Sequence, residues 1–303
     1  MDITSQRLAE SREWSAIGLA YALVGLVLAI DLVVSVYLGL SIGHWWLPIP
    51  LSGSLLILSA AYRRRSPGIA QTAELGALWI AFIATSCILS YLSATLAFPL
   101  KDALLERMDR AIGFDWEANR ALVIGSPVAH LLLFGAYVSL LPQILLSIVY
   151  FPARGQGQRS AEFILLAMLA LFPTCVVSAL CPAVGPLAVF LPNQAVHLHD
   201  LLALRASGPW HFDLPAMEGI VSMPSYHAAL AVLFTYTFRR SGVLGWLVAG
   251  LNVLMLLSVP PIGGHYLVDL VGGIIVALGC ILVVRHVLPG DDTTLGTRPR
   301  LAP

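Results

Sequence analysis

The sequence predicts an all-α, polytopic membrane helix bundle of about eight transmembrane helices. Three observations predict it: a composition too apolar for water, a series of long apolar runs, and arginines that fall on alternate connections. Of the 303 residues, 58% are hydrophobic and 11% charged, with a mean hydropathy of +0.84. A soluble domain carries about 25% charged residues. Lipid is therefore the main solvent of this chain. The formal net charge is zero, which argues against a nucleic-acid partner.

A spanning helix needs about 20 apolar residues. Runs of this kind lie near 14–40, 45–62, 75–98, 129–151, 161–181, 222–238, 243–261 and 265–288. The first run exceeds the ~7–15-residue core of a cleaved signal sequence. Its leader also contains Asp2, Glu10 and Glu13, so it reads as a true span. Arg7 and Arg12 precede the first run, and Arg63, Arg64 and Arg65 follow the second. Arg154 and Arg159 follow the fourth, Arg239 and Arg240 the sixth, and Arg285, Arg298 and Arg300 close the chain. With eight spans, all these points fall on one side, together with both termini. The positive-inside rule makes that side cytoplasmic. Lys101, Arg107, Arg110, Arg120 and Arg205 fall on the outer side, diluted by carboxylates.

Two long outer connections remain. In the first, Pro99 to Val128, Leu100, Leu104, Met108 and Ile112 recur at helical spacing between charges. This predicts an amphipathic helix at the interface. The second, Pro182 to Val221, is rich in Pro, His and acidic residues and leads into "VSMPSYHAAL". Long polar loops in a compact membrane protein are usually functional. There is no internal repeat and no separate soluble domain, and the tail over 289–303 reads as disordered. The chain divides into two N-terminal spans (1–74), a core (75–288) and that tail. Cys87, Cys175, Cys181 and Cys280 lie in apolar segments without paired spacing and read as small buried hydrophobes.

The ionisable residues at the outer ends of spans converge. His227 opens the sixth run, and His265 and Asp269, in "GGHYLVDLVGG", open the eighth. On a helix, residues i and i+4 share a face. A carboxylate there can hold one imidazole nitrogen and leave the other as a lone-pair donor. Such an imidazole can be a nucleophile, a base or a metal ligand. Ionisable groups in spans are costly and point to function. Pro224 and Ser225 suit a helix start, whose free N–H groups bind phosphate oxygens. His227 would then stand close by as a proton donor, and Gly263 and Gly264 permit close backbone approach.

"PSYH" followed by "GGHYLVDLVGG" resembles the type-2 phosphatidic acid phosphatase superfamily of membrane phosphoesterases. That superfamily carries a Pro-Ser-x-His element and a later His-x-x-x-Asp element at the outer membrane face. "HYLVD" is most similar to the branch of inositol phosphorylceramide synthases (inositolphosphotransferases) and sphingomyelin synthases, which transfer a phospho-headgroup between lipids. The resemblance covers the last six spans and implies a six-helix lipid-phosphatase-like core. It implies that His265 attacks phosphorus and forms a phosphohistidine, that Asp269 orients it, and that His227 protonates the leaving oxygen. Ser225, with Pro224, Tyr226, Gly264 and nearby amides, would hold the phosphate. The implied partners are a phospholipid or sphingolipid substrate and the bilayer, with no cofactor and no metal.

The family's phosphate-binding cations are missing from their places. Val259 stands six positions before His265, where the phosphatase branch has an arginine, although Ser258 fits. In "SALCPAVGP", Ser178 and Gly185 replace the family's Lys and Arg, and Pro186 alone is retained. This favours the transferase branch and nominates Arg110, Lys101 or Arg205 to meet the phosphate. Alternative readings are a lipid phosphatase using the same site, a proton-coupled transporter, or a non-catalytic binder. His197, His199 and Asp200 in "VHLHD" raise a metal site, which their alternation on different faces disfavours. Asp31 reads as a packing contact, Trp45 and Trp46 as an aromatic belt, and Gly272, Gly273 and Gly279 as close helix packing.

Overall fold

The computed structural model describes residues 3–206 and 208–287, with side chains from Ala16 onward. The predicted disordered tail lies outside these residues. The chain forms α1 (Ile3–Leu38), β1 (Leu40–Gly43), α2 (Pro48–Tyr62), α3 (Pro67–Ala94), α4 (Asp102–Ala111) and α5 (Trp116–Ile124). It continues through α6 (Pro127–Val138), α7 (Leu140–Ala153), α8 (Gly157–Leu180), α9 (Pro186–Phe190) and α10 (His197–Arg205). It ends with β2 (Trp210–Asp213), α11 (Tyr226–Phe238), α12 (Val243–Ser258) and α13 (Leu267–Val287). The fold is an all-α polytopic membrane bundle. Helices α3, α8, α13 and the Ala16–Leu38 part of α1 are long and apolar enough to cross a bilayer. Helices α2, α7, α11 and α12 are apolar but only 10–17 residues long. The pair α5–α6 also qualifies as a span by composition but is bent by 107°.

The predicted boundaries shift where proline intervenes. The third run begins at Pro67 rather than near 75, because Pro at the first helical position is preorganised for a helix. The fourth run is two helices, interrupted at Ser139. Pro142 sits in the first turn of α7, where its missing N–H costs nothing, so the helix restarts there. The eighth run begins at Leu267, two residues after His265.

Helix α8 is the axis of the bundle: Phe163, Ile164, Leu166, Ala167 and Ala170 are fully enclosed. Around it pack Leu75 and Leu78 of α3, Phe151 of α7, Leu233 and Phe234 of α11, and Ala277 of α13. Ala16, Ile17 and Ala20 of α1 join the same core, so the first helix shares the interior of the rest. The linker strands β1 and β2 pair in parallel, Leu40 opposite Trp210. This ties the N-terminal hairpin to the long polar connection before α11.

Helix α4 is amphipathic as predicted, with Leu104 and Met108 exposed and Leu105 and Asp109 buried. Its apolar stripe faces outward, as an interfacial helix requires, while its inner side carries carboxylates toward α13.

Candidate active site

His265 lies on the turn from α12 to α13, outside the helix. This corrects the expectation that His265 and Asp269 share a helix face. Asp269 is the third residue of α13, and its Oδ2 lies 3.4 Å from Nδ1 of His265. The pair faces at ion-pair distance, with His265 8% exposed and Asp269 fully enclosed. The same Oδ2 accepts the Tyr266 N–H at 2.9 Å and the Ser222 hydroxyl at 3.3 Å. A third-position carboxylate reaching back to the residue before the helix is half of a capping box. Asp269 therefore holds the helix start and stands directly against the imidazole.

The remaining orphan donors of α13 are met from far away in sequence. The Asp109 carboxylate accepts Leu267 N–H at 2.7 Å and Val268 N–H at 3.0 Å. Burial holds the Asp109 pKa above the ordinary carboxylate value, and these two bonds offset only part of that rise. Asp102, two helical turns earlier on α4, accepts Val184 N–H at 3.1 Å, Gly185 N–H at 3.0 Å and the Tyr266 hydroxyl at 3.2 Å. The turn before His265 is held from α5: Trp116 donates to the Pro260 carbonyl at 2.8 Å and Arg120 to that of Pro261 at 2.5 Å.

The "PSYH" element docks on this framework. Ser225 N–H donates to the Asp269 carbonyl at 2.9 Å, and Ser225 Oγ caps α11 by accepting Ala228 N–H at 3.4 Å. A Cβ on Gly273 would collide with the Ser225 carbonyl oxygen, and one on Gly272 would meet Pro224 at 2.9 Å. These glycines let α13 press onto the start of α11. Gly279, expected to pack likewise, has nothing within 4 Å of its Cβ position. The His227 ring stacks on Tyr137 of α6, centroids 4.4 Å apart and planes at 11°. Tyr137 also meets the space beside Gly263, where a Cβ would lie 2.7 Å from its ring and 3.2 Å from the His265 ring. One aromatic side chain thus borders both histidine elements.

Both histidines open on a cavity of about 590 Å³. At the histidine end it is lined by Ser222, His227, Gly264, His265, His197 and Val184. Its lining also includes Trp79, Phe82, Leu140, Ile144, Leu171 and Leu230, with Ser86, Ser90 and Thr174 among them, a mostly apolar interior that suits a hydrocarbon chain.

Of the sequence-predicted site residues, Tyr226, His227, Gly264 and His265 border this cavity, with Asp269 directly behind His265. The Tyr226 hydroxyl is committed to the Ala167 carbonyl at 2.8 Å. Pro224 and Ser225 are buried behind the lining rather than on it. The nominated cations do not border the cavity either. Arg110 pairs with Glu106 at 2.7 Å with a 60% exposed side chain, and Arg205 donates to the Phe98 carbonyl at 2.8 Å. Lys101 precedes α4, its backbone N–H donating to Pro182. Val259 is completely enclosed. Gly185 has φ +83° and abuts the Gly264 carbonyl oxygen, leaving no room for a side chain. No Lys or Arg is among the cavity's described lining residues. Sequence reasoning missed Tyr137, Ser222, Glu218 and the Asp102 and Asp109 clamps. Ser222 alone had a local signal, three residues before Ser225. Among the described residues, no group of three or more His, Cys, Asp or Glu side chains is placed to hold a metal ion.

The sequence pattern of the PAP2 superfamily matches residues 103–283, more than half of the chain. The chain belongs to the PAP2 superfamily. The PAP2 match runs from α4 into α13, so it contains the Asp109 clamp, both histidine elements and the histidine end of the cavity. PAP2 superfamily members are generally phosphatases or phosphotransferases. No curated protein and no solved structure matches the chain.

Proposed function

We propose that this PAP2 superfamily protein is a membrane lipid phosphotransferase that moves a phospho-headgroup between lipids through a phosphohistidine at His265. The observation that carries the reading is that His265, backed by Asp269, opens with His227 on a cavity whose lining is mostly apolar. The headgroup phosphate would lie at the histidine end and an acyl chain between the helices.

Nδ1 of His265 faces the Asp269 carboxylate, so Nδ1 carries the hydrogen and Nε2 the lone pair. Nε2 attacks phosphorus, the bond from phosphorus to the lipid oxygen breaks, and imidazolium His227 delivers a proton to that oxygen. Asp269 stabilises the positive charge that forms on His265. In the second step the acceptor's hydroxyl gives its proton to His227 as its oxygen attacks phosphorus and the N–P bond breaks. A positioned general acid and base of this kind contributes about 10²–10⁴-fold.

The "HYLVD" wording and a cavity without Lys or Arg among its described lining residues support transfer to a lipid hydroxyl. The polar residues on the lining, among them Ser222, Glu218 and His197, also suit a water acceptor, which would make the protein a lipid phosphatase. The arginine distribution supports cytoplasmic termini and a site on the outer face. Purified protein given a labelled phospholipid panel, with and without ceramide or diacylglycerol, decides between them. Label in a new lipid supports transfer and free phosphate supports hydrolysis. Full turnover by His265→Ala would refute both.

A further inference from the structure

The cavity carries a third imidazole that the proposed reaction leaves unused. His197 opens α10, and its ring lines the same cavity as His227 and His265. The ring is anchored: Nε2 lies 3.0 Å from the Val184 carbonyl oxygen. A carbonyl only accepts, so Nε2 carries the hydrogen. Nδ1 is then a lone pair in the neutral ring and a second N–H donor in the imidazolium.

The anchor places His197 at the histidine end. Val184 adjoins Gly185, whose Cβ position lies 2.7 Å from the Gly264 carbonyl oxygen and 3.2 Å from Ser222 Oγ. Gly264 immediately precedes His265. The Val184–Gly185 edge is fixed in turn, since both its N–H groups donate to Asp102. His197 is therefore anchored to an edge that abuts the residue before the proposed nucleophile, and both histidines line the same cavity. The positions where the superfamily's cations were expected hold Ser178, Gly185 and Val259, and no Lys or Arg is among the described lining residues. A phosphate entering here brings negative charge into an enclosed site, which is costly unless it is paired.

We propose that His197 is a phosphate-binding residue. As imidazolium it donates Nδ1–H to a phosphate oxygen of the lipid substrate while Nε2–H remains on Val184. The inference rests on the phosphoryl-transfer reading above and names the charge that reading lacks.

His197→Gln keeps an N–H donor for Val184 but cannot take up charge. His197→Arg restores charge, because a guanidinium can donate to Val184 and to phosphate together. The expected result for His197→Gln is a KM for the phosphorylated lipid raised about tenfold or more, with kcat changed by less than about threefold. Inorganic phosphate should bind His197→Gln about tenfold more weakly by titration calorimetry, with recovery in His197→Arg. Unchanged phosphate affinity in His197→Gln, or no phosphate binding by the unmodified protein, overturns the proposal. If His197→Gln unfolds in detergent, a stable His197→Arg that does not bind phosphate overturns it equally. Phosphate titration requires no turnover. An inactive protein whose phosphate binding depends on His197 would therefore refute the reaction while upholding this site.

Discussion

The carboxylate of Asp109 accepts the backbone N–H of Leu267 at 2.7 Å, across a sequence separation of 158 residues. Its other oxygen takes the next N–H, of Val268. The proposed nucleophile sits two residues before Leu267, so an interfacial helix sets where His265 stands. Asp109→Ala leaves two half-buried donors unpaired and should cost about 1–3 kcal/mol. It should also lower kcat, while Asp109→Asn, with one acceptor retained, should fall between. Thermal unfolding in detergent with parallel turnover measurements checks this. Wild-type stability in Asp109→Ala would show that α13 does not depend on α4.

Ser225 illustrates a residue whose role changes between sequence and structure. The family motif implies a phosphate contact, whereas the structure uses its hydroxyl to cap α11. Ser225→Ala should lower stability by about 0.5–2 kcal/mol, as loss of an N-cap does, with KM for the lipid almost unchanged. A large rise in KM at unaltered stability would contradict the capping role.

Gly273 is where α13 and α11 touch backbone to side. Gly273→Ala places a methyl against the Ser225 carbonyl and the Ala228 methyl, which must push the two histidine elements apart. Overpacking of this kind costs about 1–3 kcal/mol. Activity should fall further than stability, since a misplacement of about 1 Å can cost 10²-fold. Gly279→Ala, into open space, is the control and should be silent in both assays.

Tyr137 stacks on His227. Tyr137→Phe preserves the ring and should retain most activity. Tyr137→Ala should lose about 0.5–1.5 kcal/mol of stacking together with the alignment of the proton donor, read as a drop in kcat. Equal activity in the two variants would remove Tyr137 from the account.

The helical bundle was legible because lipid makes a simple demand, and long apolar runs suffice to outline its helices. The two histidine elements were legible as short local motifs. What the sequence concealed are contacts made between distant elements. Nothing near Asp109 or Asp102 announces that they meet the start of α13 or the Val184–Gly185 edge. The helical i, i+4 reading of His265 and Asp269 reached the right pairing through the wrong geometry, because the turn, not a helix, carries the histidine. The nominated cations failed to reach the cavity for a related reason. Arg110 pairs with Glu106 one turn away, and Arg205 donates to the Phe98 carbonyl. The "VHLHD" segment looked like a metal motif, but only His197 borders the cavity, while His199 is exposed beside Asp200.

The most direct test of the central claim is covalent trapping. Purified protein is mixed with a lipid labelled in its phosphate, quenched within the first turnover, and mapped by mass spectrometry under alkaline conditions that preserve phosphohistidine. Phosphate on His265, absent from His265→Ala and depleted by a lipid acceptor, is the predicted result. Label on another residue, or turnover with no phosphoprotein and undiminished by His265→Ala, would contradict it.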